Sequence, residues 1–278
     1  MGAQSHRTPI APDENTGKLN PRPVERQWLR KLLQTHHGAD YSDPAYVLAP
    51  MVDQSDLPFR LLTRKYGCNL AFTPMVHSKL FTTMTSYHDR FMLADIPADR
   101  PLIAQLCGSN REQVLQTARE LSVHCDAIDI NCGCPQQIAR RGNYGAFLLE
   151  KPDELLELVE YLQPRIDVPL TVKVRLVPGY NRDDSVQKSL ALYRRLVDAG
   201  VHMLTIHGRT RLQKGHETGQ AEWAAIRKVV DELGDRVPII ANGSIGNWAE
   251  IRDCLAETKA DGVMSSEAIL EYTAFFVD

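Results

Sequence analysis

From Tyr46 onward, short apolar runs alternate eight times with longer stretches of helical periodicity, and few folds accept that pattern. An unbroken apolar run suits a strand buried on both faces, as in a parallel sheet covered by helices. The strand candidates are 46–51, 70–74, 102–106, 127–131, 170–175, 203–207, 238–241 and 262–264. Ser109-Asn110 opens a helix over 111–124, Lys151-Pro152-Asp153 one over 154–163, Asp184-Ser185 one over 186–199 that Gly200 stops, and Asn247 one over 248–256. A doubly wound sheet shares this local pattern but advertises a glycine-rich first turn, and neither G-x-G-x-x-G nor G-x-x-x-x-G-K-S/T occurs. The count predicts an α/β chain folded as a (β/α)8 TIM barrel over 45–278, after an N-terminal extension over 1–44.

The extension is rich in Pro, Asn, Asp, Thr and His, with one amphipathic patch around Trp28, Leu29, Leu32 and Leu33, and is expected to be largely disordered. At 278 residues and 43% hydrophobic content the chain can bury a sizeable core. A formal net charge of -3 gives no global reason to bind nucleic acid, so any such contact must come from a local basic face. The six cysteines are scattered without the spacing of a disulfide scaffold, which predicts a reducing compartment. His124, Cys125, Cys132 and Cys134 lack Cys-x-x-Cys spacing, and strand alternation splits successive side chains between faces, so no metal is expected. No apolar run approaches the ~20 residues that span a bilayer. The chain reads as cytosolic or nuclear, with no membrane partner.

Barrels of this kind build their sites at the C-terminal ends of the strands, and polar residues gather there. Pro50-Met51 marks the end of the first run, Gln105 that of the third, Asn131 and Cys134 the fourth, Lys173 and Arg175 the fifth, His207 and Arg209 the sixth, Asn242-Gly243 the seventh and Ser265-Ser266 the eighth. Cys134 sits between Gly133 and Pro135 at the end of an apolar strand, a placement that presents a thiol at a turn; Arg140 and Arg141 follow closely. Each residue also has an ordinary structural reading, as loop hydrogen bonding or a snorkelling lysine. Their convergence argues for a site, because Lys173, within an otherwise apolar strand, needs an anionic partner if it points inward. The electron-rich edge of a flavin is such a partner, and Gln and Asn amides suit its carbonyl and N–H pattern. The stretch Asn242-Gly243-Ser244-Ile245-Gly246 and Ser265-Ser266 offer backbone N–H groups where barrels hold a phosphate, which a sugar phosphate would equally use.

The motifs Ala49-Pro50-Met51-Val52, Asn131-Cys132-Gly133-Cys134-Pro135, Gly145-Ala146-Phe147-Leu148, Lys173-Val174-Arg175, His207-Gly208-Arg209-Thr210 and Asn242-Gly243 occur in that order. From about Tyr46 to its end the chain resembles the tRNA-dihydrouridine synthases, FMN-dependent enzymes that reduce uridine in tRNA. His207-Gly208-Arg209-Thr210-Arg211 and Met264-Ser265-Ser266-Glu267 look most like the eukaryotic branch acting at D-loop positions 16 and 17. The resemblance implies FMN contacts from Pro50, Met51, Val52, Gln105, Lys173, His207, Asn242, Gly243, Ser244, Ser266 and Glu267, with NADPH as reductant. It implies Cys134 as catalytic acid, Asn131 and Arg175 near the uracil, and Gly142-Asn143-Tyr144-Gly145 within the mobile segment that carries Cys134. Many bacterial members have Gly-Arg where this chain has Ser266-Glu267, so an arginine contact to the phosphate is missing. The family continues into a helical tRNA-gripping domain, and this chain, ending at Asp278, is expected to lack it.

Saturating the C5=C6 bond of uracil is a conjugate addition, which needs a hydride for one carbon and a proton for the other. A neutral Cys134 thiol suits the second role. A base inside folded tRNA must be flipped out, with phosphates resting on basic side chains. Arg140, Arg141, Arg182, Arg209, Arg211, Lys214 and His216 fall in loops expected on the catalytic face, and their segregation in a net-acidic chain favours RNA over a merely solvated rim. Two other readings stay open: an FMN barrel acting on a free pyrimidine or small enone, and an inactive RNA-associated barrel.

Overall fold

The computed structural model describes residues 22–213 and 218–277. Its strands are β1 (Ala45–Leu48), β2 (Leu70–Phe72), β3 (Val76–His77), β4 (Leu102–Cys107), β5 (Ala127–Cys132), β6 (Leu170–Leu176), β7 (Met203–Thr210), β8 (Ile239–Asn242) and β9 (Gly262–Ser265). All pairings are parallel, and β2 bonds to both β1 and β4, so eight strands close a ring in the order β2-β1-β9-β8-β7-β6-β5-β4. Closure leaves no barrel edge unpaired, and β3 is a short addition along the end of β4. The predicted (β/α)8 barrel is thus the fold. The first strand stops at Leu48 rather than at 51, because Pro50 has no N–H to continue the ladder.

The helices are α1 (Trp28–His37), α2 (Leu57–Arg64), α3 (Ser78–Thr83), α4 (Thr85–Phe91), α5 (Arg111–Ser122), α6 (Gln137–Arg141), α7 (Pro152–Leu162), α8 (Arg182–Asp198), α9 (Trp223–Leu233), α10 (Trp248–Thr258) and α11 (Glu267–Glu271). Asn110, Asn181 and Asn247 cap α5, α8 and α10, each accepting a first-turn N–H at 2.9–3.1 Å. The cap of α8 therefore lies at Asn181, a turn before the Asp184-Ser185 start that the sequence favours. None of the described helices is long and apolar enough to cross a membrane.

Alternation along the strands makes two cores. Outward residues such as Ile128, Ile130, Val172, Val174, Leu204 and Ile206 pack under the helices, while Val47, Phe72, Ile103, Met203, Ile240 and Met264 fill the barrel interior. Leu29 and Leu33 of α1 join that interior cluster and are almost wholly buried. Each contributes roughly 1.5–3 kcal/mol by leaving water. The expectation of a largely disordered extension over 1–44 is therefore corrected for residues 22–44, which cover the N-terminal mouth of the barrel. Arg22 and Gln163 exchange backbone–amide hydrogen bonds, Arg26 pairs with Asp261 at 2.7 Å, and the Asn69 side chain gathers Tyr41, Pro44 and Tyr46. Residues 1–21 lie outside the described part of the chain.

Candidate active site

The register of the parallel ladders sets polar side chains opposite one another inside the barrel. Gln105 pairs with Asp129, Asp129 with Thr171, Asn131 with Lys173, Arg175 with His207, and His207 with Asn242. These residues alternate with the outward apolar ones, so a period of two brings them all to the lumen near the C-terminal mouth. Lys173 Nζ donates to Asn242 Oδ1 at 3.0 Å, and Asn242 Nδ2 donates to the Met264 carbonyl at 2.8 Å. Below them Asp129 is fully buried and accepts from Gln105 Nε2 at 2.8 Å and Thr171 Oγ1 at 2.7 Å.

Cys134 is half-buried, whereas the other five cysteines are buried. Its turn is held from three sides. Asn131 Oδ1 accepts the N–H groups of Gly133 at 3.2 Å and Cys134 at 3.0 Å; Arg175 Nε donates to the Gly133 carbonyl at 2.8 Å; and the Ala146 N–H donates to the Cys134 carbonyl at 3.0 Å. Gly145 makes the last contact possible, since it has φ +69° and a Cβ there would stand 2.6 Å from the Cys134 carbonyl oxygen. The 142–145 segment is packed rather than free, with Tyr144 only 2% exposed against Cys107 and Ala139.

Burial governs the charges. Loss of hydration pushes the Asp129 carboxyl up to about 6, against hydrogen bonds from Gln105 and Thr171 and the nearby Lys173 ammonium. It pushes Lys173 down to about 8, assisted by Arg175 and opposed by Asp129 and Cys134. Arg175 falls to about 10, for the same reason and from the neighbouring Arg209. His207 is driven well below its ordinary value by burial and by Lys173, Arg175 and Arg209, so it is neutral near pH 7. Arg209 lies 3.0 Å from His207 Nε2, and a guanidinium only donates, so the imidazole proton sits on Nδ1.

A cleft of about 520 Å³ opens over the ends of β7, β8 and β9. Of the residues singled out from sequence, Arg175, His207, Arg209, Asn242, Gly243, Ser244, Ser266 and Glu267 line it. Lys173 is joined to it through Asn242, and Gln105 bonds Asn131, which holds the Cys134 turn. Gly243, at φ +106°, brings the backbone against His207, for a Cβ there would lie 2.8 Å from Cδ2. Pro50, Met51 and Val52 sit in the loop after β1, beside β9, where the Ala49 N–H donates to the Ser265 carbonyl; Val52 is 55% exposed. The expected ring of N–H groups over 242–246 is partly occupied from within, since the Gly246 N–H donates to Glu250 at 2.6 Å.

The basic rim is smaller than the sequence implies. Arg182 is paired with Glu222 and Arg211 with Glu150, and Arg209 turns inward to the Gly219 carbonyl, His207 and Ser244. Arg140 and Arg141 are exposed on α6 without an ion pair among the described residues. Lys214 and His216 lie outside the described residues. Asp129 and Thr171 were not among the sequence candidates; a carboxylate in the middle of an apolar strand was the available signal.

Residues 47–277 match the family model described as dihydrouridine synthase (Dus). The chain belongs to the dihydrouridine synthase family. It is 42% identical over 229 residues to the tRNA-dihydrouridine(16/17) synthase [NAD(P)(+)] of Saccharomyces cerevisiae, covering 82% of this chain and 53% of that protein. The Schizosaccharomyces pombe protein of the same name is 39% identical over 246 residues, covering 87% and 60%. A Mus musculus protein named tRNA-dihydrouridine(16/17) synthase [NAD(P)(+)]-like is 41% identical, covering 83% and 47%. The chain thus spans about half the length of the curated relatives it matches. Among solved structures, a mandelate oxidase with benzoyl-formic acid superposes with a TM-score of 0.52 at 14% identity, covering 83% of this chain and 66% of that one. A mandelate oxidase mutant with the C4a-OH-FMN adduct gives 0.54 at 15%, covering 83% and 67%. Both likenesses are of fold.

Proposed function

We propose that this chain is the catalytic barrel of an enzyme that reduces uridine to 5,6-dihydrouridine in tRNA, at D-loop positions 16 and 17, with FMN as cofactor, NADPH as reductant and Cys134 as proton donor. The observation that carries the reading is one connected arrangement. A half-buried thiol sits on a turn pinned by Asn131 and by Arg175, and Arg175 itself lines the adjoining polar cleft, with Lys173 beside it on the same strand bonded to Asn242. The names of the relatives and the family match support the substrate and the nicotinamide reductant.

The donor set suits FMN. Lys173 makes a single hydrogen bond among the described residues, to Asn242, although an ammonium carries three donors; an electron-rich ring edge satisfies the others. The cleft volume is within the ~300–1,000 Å³ of small-molecule sites. Arg209 is the cation lining it at the end of β7, and with Gly246 already bonded, a phosphate there rests on Arg209 and the preceding turn. When bound, FMN supplies the hydride for C6 of uracil.

The chain's own groups do the rest. Cys134 Sγ holds the proton for C5, and Asn131, Arg175 and Ala146 fix the backbone that presents it. Met75, Phe147, Tyr144 and Cys107 pack around Cys134 and restrict water on that side. Lys173 offers positive charge where negative charge develops, and neutral His207 avoids adding repulsion among three cations. Arg140 and Arg141 lie exposed on the helix that follows the thiol, which supports their meeting RNA phosphates. The test is a single-turnover assay on unmodified tRNA with Cys134→Ala, which should retain flavin and lose dihydrouridine formation.

The internal pairing of Arg182 and Arg211 favours a second reading, in which the acceptor is a free pyrimidine or small enone. Charge reversal at Arg140 and Arg141 separates the two: loss of tRNA turnover with unchanged turnover of small acceptors supports tRNA, and equal effects support the small molecule.

A further inference from the structure

The polar layer under the thiol has a direction. An ionised carboxylate only accepts hydrogen bonds, so at Asp129 the facing groups must donate. Gln105 accordingly turns its NH2 to Asp129 Oδ2, at 2.8 Å, which leaves its oxygen facing Asn131. That oxygen accepts Asn131 Nδ2 at 2.8 Å, which in turn leaves Asn131 Oδ1 for the N–H groups of Gly133 and Cys134. Reversing Asn131 sets donor against donor at the 133–134 turn, and reversing Gln105 sets oxygen against the Asp129 carboxylate and NH2 against Asn131 Nδ2. Thr171 Oγ1 completes the carboxylate from the next strand, and no atom of Asp129 reaches solvent.

We propose that Asp129 is a positioning residue, whose acceptor-only carboxylate fixes the polarity of the Gln105 and Asn131 amides and thereby the turn that presents the Cys134 thiol. Its consequence for catalysis rests on the function proposed above; the relay itself does not. The carboxyl, though raised to about 6 by burial, is ionised at neutral pH, with Lys173 on β6 and Cys132 on β5 the other titratable groups in its field.

The test measures two things on the 278-residue chain with Asp129→Asn and Asp129→Leu: the rate of Cys134 alkylation by iodoacetamide, read by peptide mass spectrometry, and the two half-reactions of the flavin-loaded protein. Asparagine can keep its oxygen toward Gln105 and offer its NH2 to Thr171 Oγ1, so Asp129→Asn should stay within about twofold of wild type in every reading. Asp129→Leu removes the acceptor and should change alkylation and slow reoxidation by tRNA about tenfold each, with flavin reduction by NADPH within about twofold. The proposal is overturned if Asp129→Leu alkylates at the wild-type rate, or if both variants lose both half-reactions equally, as a merely structural role requires. Should wild type itself leave tRNA untouched, the functional reading fails and the alkylation comparison still decides the relay.

If Asp129→Leu does not fold, Gln105→Glu serves. It keeps an oxygen for Asn131 but meets Asp129 carboxylate to carboxylate, so the pair must share a proton. The ratio of its alkylation rate to that of wild type should be near one at about pH 6 and depart about tenfold as that proton is lost toward about pH 9. A ratio constant over that range contradicts the relay.

Discussion

Which side chains carry charge or a transferable proton decides what the proposed site can do. Cys134→Ala deletes only Sγ from a turn held by backbone and amide contacts, so flavin affinity should stay within about twofold while uridine reduction falls by roughly 100-fold or more, the range of a lost general acid. Wild-type turnover in that variant removes the thiol from the chemistry. Lys173 gives a pH prediction with a definite sign. Its folded-state value, about 8, lies below the 10.5 of the free side chain. The group's stabilising contribution to the ligand-free protein is therefore present above about 10.5 and lost as pH falls through about 8. An electron-rich ligand edge favours the ammonium, so flavin binding should take up a proton above pH ~8 and weaken as pH rises. Calorimetry in buffers of different ionisation enthalpy measures this directly, and proton-independent binding above that pH contradicts the contact. Lys173, His207 and Asn242 were legible in the sequence because each is a polar residue at the end of an apolar run. Asp129 and Thr171 were not, because their role depends on partners 24 and 42 residues away that only the strand register brings together.

At the scale of elements, the decisive piece is the segment that returns from α6 to meet the Cys134 turn. Gly145→Ala puts a methyl group into the Cys134 carbonyl and forces φ +69° on an L side chain. A cost of roughly 1–3 kcal/mol is expected from such strain, together with slower uridine reduction and unchanged flavin affinity. Thermal melts and single-turnover rates check it, and a variant as stable and fast as wild type rejects the clamp. The arm shows what patterning conveys and what it omits. The apolar patch at Trp28, Leu29, Leu32 and Leu33 is visible in the sequence, but a ten-residue helix gains its stability from the surface it covers, and that surface is the assembled barrel mouth. The pairing of the basic rim is hidden from the sequence for a related reason. Glu222 and Glu150, which pair with Arg182 and Arg211, come from other loops, 40 and 61 residues distant.

For the whole molecule, closure of eight parallel strands gives a rigid ring with a sealed bottom and a reactive top. Leu33→Ala should destabilise the fold by about 2–5 kcal/mol without changing flavin affinity, because the cavity forms at the end of the barrel away from the cleft. Chemical denaturation with a parallel flavin titration separates the two effects, and an unchanged midpoint denies the docking. The fold as a whole was readable because its strands are predominantly apolar runs and three of its longer helices open on a capping Asn, at Asn110, Asn181 and Asn247. Transfer of reducing equivalents to uridine by this barrel, with Cys134 as acid, is measured by incubating the chain with unmodified tRNA, FMN and NADPH and mapping dihydrouridine. Dihydrouridine is expected at positions 16 and 17 with wild type and none with Cys134→Ala. Flavin-loaded protein that NADPH reduces but that leaves every uridine intact would contradict it.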